Sequence, residues 1–231
     1  MLTPALGTMA AALSMSLPWP QVWRSCAQRR TTGLSATAVW LGVAMPIGWI
    51  TYGLLIGDRL QVMTNTVTGL AGLAVLAALL LTRLDVRSRR TLLATAGSAA
   101  VVAGTAAASA VATALPGVSG KQAAPVLGVV LALAATLSAI PQPLALLRDR
   151  AQDLSGLSPL RWRLGLGACA CWTLYGLSLG EAAVWASAAV GLASAAIVCA
   201  VIAARRPAPT VVITSRWRDT VTTRNLAMAG V

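Results

Sequence analysis

Trp49-Ile50-Thr51-Tyr52-Gly53-Leu54-Leu55-Ile56-Gly57-Asp58 and Trp172-Thr173-Leu174-Tyr175-Gly176-Leu177-Ser178-Leu179-Gly180-Glu181 are two forms of one ten-residue stretch. Both carry Trp-x-x-Tyr-Gly-Leu-x-x-Gly followed by an acid, and their tyrosines are the only two in the chain. Working outward, Gly33-Leu34-Ser35 precedes the first copy and Gly156-Leu157-Ser158 the second, at the same offset of 123 residues. Further upstream stand Pro20-Gln21 and Pro141-Gln142, at an offset of 121. Alanine aligns with alanine by chance in a chain this rich in it, but this pattern does not. The chain contains an internal duplication, with two residues inserted in the second copy.

Composition identifies the solvent. Of 231 residues 57% are hydrophobic and only 10% charged, and the mean hydropathy is +0.76; a soluble domain of this size carries about a quarter charged residues. Apolar runs of about 20 residues bounded by charges recur along the chain, the pattern of a polytopic helical membrane protein. The net charge of +12 does not point to nucleic acid, because the arginines gather in short connections and build no continuous basic face. Cys26, Cys169, Cys171 and Cys199 have no paired Cys/His arrangement, so neither a disulfide framework nor a metal site is expected. No cofactor is expected either. The first apolar run lacks a basic n-region and reads as a retained helix, not a cleaved signal peptide.

Seven apolar segments are expected, at about 4–23, 36–57, 61–82, 91–115, 124–147, 164–179 (its inner end reaching back to about Pro159) and 182–204. At 1.5 Å per residue each is long enough for roughly 30 Å of hydrocarbon. Of the 18 Lys and Arg residues, all but Arg59 and Lys121 fall in the connections after segments 1, 3 and 5 or in the tail. The positive-inside rule then puts the N-terminus outside and the C-terminus in the cytoplasm. Each copy holds three segments, so a direct join would invert the second. The fourth segment, nearly all Ala, Val, Gly, Ser and Thr, restores the orientation, and its small residues also suit close helix packing. The expected fold is all-α, 3 + 1 + 3, with parallel repeats. The divisions are 1–83 (first repeat), 84–120 (linker helix), 121–204 (second repeat) and 205–231 (basic tail).

In this layout, in the doubled Pro-Gln and in the doubled Trp-x-x-Tyr-Gly, the chain resembles the PQ-loop superfamily, and within it the SWEET and SemiSWEET sugar facilitators. The resemblance spans about 4–204. It implies that Pro20 and Pro141, with Gln21 and Gln142, are the hinges of a cytoplasmic gate. A proline does remove a helical hydrogen bond and lets the helix bend, although near a helix end it can merely mark that end. The glutamines either hydrate at the membrane edge or bond across the repeat interface.

The resemblance also implies that Trp49 and Trp172 line a central pocket. They lie about 12 Å from the helix ends, deeper than an interfacial belt, and an indole face suits the apolar face of a pyranose. Asn65 stands 16 residues after Trp49, at the family's spacing for a pocket asparagine; the alternative is a helix–helix hydrogen bond. In the second repeat that position is Ala188, beside Ser187, so the pocket is expected to be lopsided. Tyr52 and Tyr175 either pack against the neighbouring bundle or touch the ligand. Gly53 and Gly176 suit close helix contact.

No Asp, Glu, Lys or His lies inside a span: the chain has no histidine, and Asp58 and Glu181 stand at helix ends. Proton symport needs such a group to change access, so uncoupled facilitation is expected. No nucleophile–base constellation points to an enzyme. The reading is an alternating-access carrier of a mono- or disaccharide in the plasma membrane, with the solute and the bilayer as partners and a homo-oligomer left open. Its rivals are an amino-acid or other metabolite carrier of the superfamily, and a receptor or scaffold of the same fold that has lost its pocket.

Overall fold

The computed structural model describes residues 2–31, 34–149 and 158–205, apart from the side chain of Gln142. The expected cytoplasmic tail beyond Arg205 and the copies of the motif at Gly33 and Gly156-Leu157 lie outside the described residues. Helices and their connections account for all the structure described: α1 (Leu2–Ser16), α2 (Trp19–Val22), α3 (Ala36–Ile56), α4 (Arg59–Thr82), α5 (Arg89–Ala112), α6 (Gly120–Ala139), α7 (Pro141–Arg148), α8 (Pro159–Leu179) and α9 (Ala182–Ala204). A π-helical turn, Trp23–Ala27, continues α2. Since α1 with α2, and α6 with α7, each run as one interrupted rod, the chain folds as seven helices.

Two expectations about the spans are refined. The first segment is not one helix over 4–23: it breaks at Leu17–Pro18 and extends through the π turn to Ala27. The fifth likewise breaks at Ile140. Both breaks have the same cause. Pro18 and Pro20 have no N–H for the carbonyls of Ser14 and Ser16, and Pro141 and Pro143 have none for Leu137 and Ala139. One freed acceptor is recovered from outside its rod: Ser194 of α9 donates its hydroxyl to the Ala139 carbonyl at 2.8 Å. Five of the seven rods are long and apolar enough to cross a membrane. The other two are the first rod, cut short at Pro18, and α8, which opens with Arg161 and Arg163 in its first turns. The chain is a multi-pass helical membrane protein.

The duplicated residues recur as helix signals. Ser35 caps α3 by accepting from the Ala38 N–H at 3.3 Å, and Ser158 caps α8 by accepting from Arg161 at 3.4 Å. Gly57 and Gly180 end α3 and α8 in the left-handed region, with φ of 79° and 72°, where a side chain is disfavoured. The acid that follows each begins the next helix.

Packing follows one order in both halves. In the first, α1 packs on α4 and α4 on α3; in the second, α6 packs on α9 and α9 on α8. Contacts of α1 with α8 and of α3 with α6 close these six into a ring, and α5 lies against α3 and α6. This is the 3 + 1 + 3 arrangement. The largest buried cluster sits at the α3–α6 seam, with Ala44, Tyr52, Val102, Leu127, Leu131 and Val184 among its members.

The end carrying Asp58 and Glu181 is the carboxylate end; the opposite one is rich in arginine. At the arginine end the bonds seen hold each half to itself. Thr31 and Thr82 share a hydroxyl hydrogen bond of 2.6 Å, Arg83 donates to the Leu34 carbonyl at 3.1 Å, and Arg205 donates to that of Leu146 at 2.7 Å. Arg83 also pairs with Asp85 at 2.7 Å and holds that carboxyl below the usual carboxylate range. The pair is solvated, so its contribution to stability is small.

Candidate functional site

Of the residues singled out above, the aromatic pairs of α3 and α8 meet the acids Asp58 and Glu181 at the seam between the two halves. On α3 and α8 the aromatic pairs stand three residues apart, one helical turn, so each ring meets its neighbour. Trp49 and Tyr52 meet edge to face, with centroids 5.6 Å apart and planes at 81°. Trp172 and Tyr175 do the same at 5.5 Å and 74°. Such contacts are worth about 0.5–1.5 kcal/mol beyond burial, and they set the angle of each indole. Both tryptophans are half-buried and pack against the seam cluster.

Neither tyrosine is idle packing. Tyr52 of the first half donates its hydroxyl to Oε2 of Glu181 in the second half at 2.7 Å. Tyr175 of the second half donates to Oδ2 of Asp58 in the first at 3.1 Å. The two bonds therefore cross the seam in opposite directions, each ending on a carboxylate. The acids differ in their second duty. Asp58 uses Oδ1 to cap α4, accepting from the N–H groups of Leu60 at 2.9 Å and Gln61 at 3.1 Å, whereas Glu181 makes no side-chain cap.

Each tyrosine ring also has a seat made by a missing side chain. A Cβ on Gly7 of α1 would come within 2.7 Å of the Tyr175 ring, and one on Gly128 of α6 within 2.9 Å of that of Tyr52. Gly7 and Gly128 are 121 residues apart, the offset of the proline pair. That coincidence of small residues was open to view in the sequence but does not stand out among 20 glycines. The acids, too, were visible, but only the fold shows that each serves the tyrosine of the other half. Gly53 and Gly176 bring α3 onto α4 and α8 onto α9: a Cβ would meet Gln61 at 2.9 Å in the first case and the Trp185 backbone at 2.6 Å in the second.

Below the tyrosines the halves differ. Asn65 is half-buried and directs its amide N–H₂ back along α4, to the Gln61 carbonyl at 2.8 Å and to Gln61 Oε1 at 3.0 Å. Its hydrogen bonds are thus neither to another helix nor across the seam. Ser187 likewise bonds the carbonyls of Ala183 and Val184 in its own helix, and Ala188 beside it is half-buried. Thr64, the residue before Asn65, is buried with no partner for its hydroxyl among the described residues.

Sequence reasoning missed a further contact. Trp172 donates its indole N–H to Oγ of Ser14 on α1 at 2.9 Å, across the seam. Among the described residues Trp49 makes no corresponding hydrogen bond. At the proline breaks, Gln21 gives its amide to Ser25 at 2.9 Å, one turn on in the same rod, and not across the interface between the halves. Pro141 begins α7; the side chain of Gln142 lies outside the described residues. A crevice of about 130 Å³ lined by Pro159, Arg163, Cys199, Ile202 and Ala203 opens elsewhere, between α8 and α9 at the arginine end.

No protein-family model matches the chain, and no curated protein matches its sequence. Among solved structures, its fold is similar to that of a eukaryotic SWEET transporter determined at 3.7 Å. The two align with a TM-score of 0.69 over 88% of this chain and 96% of that one, at 18% identity. At that identity the likeness is one of fold.

Proposed function

We propose that the chain is a membrane carrier that moves a small polar solute, a mono- or disaccharide, by uncoupled alternating access. The carrying observation is the crossed pair of Tyr–carboxylate bonds at one end of the seam. A bond made only when the two halves approach is what a gate requires, and two in opposite directions join the halves at that end. The described hydrogen bonds at the arginine end stay within a half, and the proline breaks lie there. This is the distribution expected of a carrier resting with the carboxylate end shut. The repeats are 1–83 and 121–204, joined by 84–120, and 205–231 is a basic tail. Trp49 and Trp172 supply stacking faces for the solute, Asn65 a polar contact, and Pro20-Gln21 and Pro141-Gln142 the hinges. The likeness to a SWEET transporter supports the solute class only through the fold.

A carrier of amino acids or other metabolites shares every part of this mechanism except the stacking face. The receptor or scaffold reading draws support from Ala188 and from the Asn65 amide, whose N–H₂ is taken up by Gln61 of its own helix.

Flux into proteoliposomes tests the proposal. Labelled glucose or sucrose should equilibrate down its gradient at a rate that a protonophore leaves unchanged. Uptake of neither sugar sinks the solute class; concentrative uptake collapsed by the protonophore sinks uncoupled transport and points to Asp58 or Glu181. We further place the carboxylate end outside in the plasma membrane, because sixteen of the eighteen Lys and Arg residues lie in the opposite connections or the tail. A reporter fused after Val231 should be active only when it is a cytoplasmic reporter. Activity of an extracellular reporter at that position would reverse the orientation.

A further inference from the structure

We propose that Ser14 determines specificity from across the seam, fixing the Trp172 indole of the second half and offering its own hydroxyl to the solute, a polar contact that the second repeat lacks at Ala188. This rests on the carrier reading above and deepens it. The ordinary fate of a hydroxyl in an apolar helix is to bond the carbonyl one turn back. Thr8, Thr51, Thr66, Thr105, Ser138 and Thr173 all do so here. Ser14 does not. Its Oγ accepts from Trp172, and among the described residues it makes no other bond, so its proton and one lone pair remain for a ligand. The residue is half-buried, at the seam where α1 packs on α8.

Its place along α1 strengthens the argument. Pro18 stands four residues on and has no N–H for the Ser14 carbonyl, which instead accepts from Leu17 at 3.3 Å in a tighter turn. Ser14 is thus in the last regular turn before the break. A chain of contacts leads from Asp58 through Tyr175 and Trp172 to Ser14 and so to that break. Among the described residues the other half shows no such chain. At the offset that relates Pro20 to Pro141, Ser14 corresponds to Ala135, which has no hydroxyl to hold Trp49. The two indoles therefore differ: one N–H is committed to the protein and the other is available. Ser14, on a helix packed against both α4 and α8, thus presents a hydroxyl to the solute beside Trp172.

The test combines flux with a spectroscopic readout on the full chain. Indole ¹H–¹⁵N signals identify Trp172 by its loss in Trp172→Phe. Ser14→Ala should move that signal upfield as its acceptor disappears; Ser14→Thr should restore it. In proteoliposomes with labelled glucose and sucrose, Ser14→Ala should raise KM roughly threefold to thirtyfold for the transported sugar while leaving the maximal rate within about twofold. Ser14→Thr should recover the parent KM. Ser14→Ala combined with Trp172→Phe should cost little more than the worse single change, because the two share one interaction. An unmoved indole signal, or an unchanged KM in Ser14→Ala while Trp49→Ala abolishes flux, overturns the role of Ser14 and leaves the carrier standing. Absence of flux for both sugars in the parent protein overturns the carrier reading, and the pocket role of Ser14 with it.

Discussion

Removing both tyrosine hydroxyls, Tyr52→Phe with Tyr175→Phe, should unlatch the carboxylate end. Each hydroxyl donates to a carboxylate across the seam, at 2.7 Å and 3.1 Å, and a hydrogen bond to a charged group is worth about 1.5–3 kcal/mol. Phenylalanine keeps the ring, so the edge contacts with Trp49 and Trp172 and the seats on Gly128 and Gly7 survive. The loss thus falls on the latch and not on the fold. Each bond biases the closed state by roughly tenfold to a hundredfold, less whatever water returns to the carboxylate. A cysteine at position 60 reports the opening, since Leu60 and the Tyr175 ring share the space beside Gly7. In a background without Cys26, Cys169, Cys171 and Cys199, a membrane-impermeant maleimide should label Leu60→Cys at least tenfold faster in the double variant, with the single variants between. Equal labelling rates in all four proteins would show that the crossed bonds do not hold the gate.

The same residues show how far the sequence could be read. Its ten-residue duplication is visible as a pattern, and five of its six shared positions have a use in the fold. Trp and Tyr meet edge to face, the first Gly lets a neighbouring helix approach, the second Gly turns the chain, and the acid starts the next helix. Periodicity and charge placed the rods to within a few residues, because apolar length and terminal arginines answer to one solvent boundary. What could not be read is which copy each group serves. Tyr52 meets the acid 129 residues away and not the one six residues on, and nothing local distinguishes those outcomes. Ser14 was hidden for the opposite reason: it has no duplicate, and a search by symmetry passes over the positions where symmetry fails. The proline breaks fell between the two cases. Pro20 and Pro141 were legible as points of bending, but the capture of the Ala139 carbonyl by Ser194 depends on a helix that returns 55 residues later.

Trp49→Ala should then be the most damaging change to transport itself, lowering uptake at least thirtyfold. On the proposed reading Trp49 would offer the solute both an indole face and an N–H that no described residue takes up, whereas the Trp172 N–H is already spent on Ser14. Truncation removes the stacking face and that donor, and it also removes the edge contact with Tyr52, one of the latch residues. Because a large-to-small change at a packed seam costs stability as well, about 3–5 kcal/mol in a fully buried core, Trp49→Phe is the control. It keeps an aromatic face and the neighbour of Tyr52 but has no N–H, and should raise KM by about threefold to tenfold, near the worth of one neutral hydrogen bond. Asn65→Ala should weaken apparent affinity roughly threefold to thirtyfold on the same scale. Placing an amide at the matching position of the second repeat, Ala188→Asn, should maintain or improve binding of the transported sugar. If Trp49→Ala and Asn65→Ala, both inserted and folded, carry glucose or sucrose like the parent, the solute does not pass these side chains, and the pocket has to be sought elsewhere along the seam.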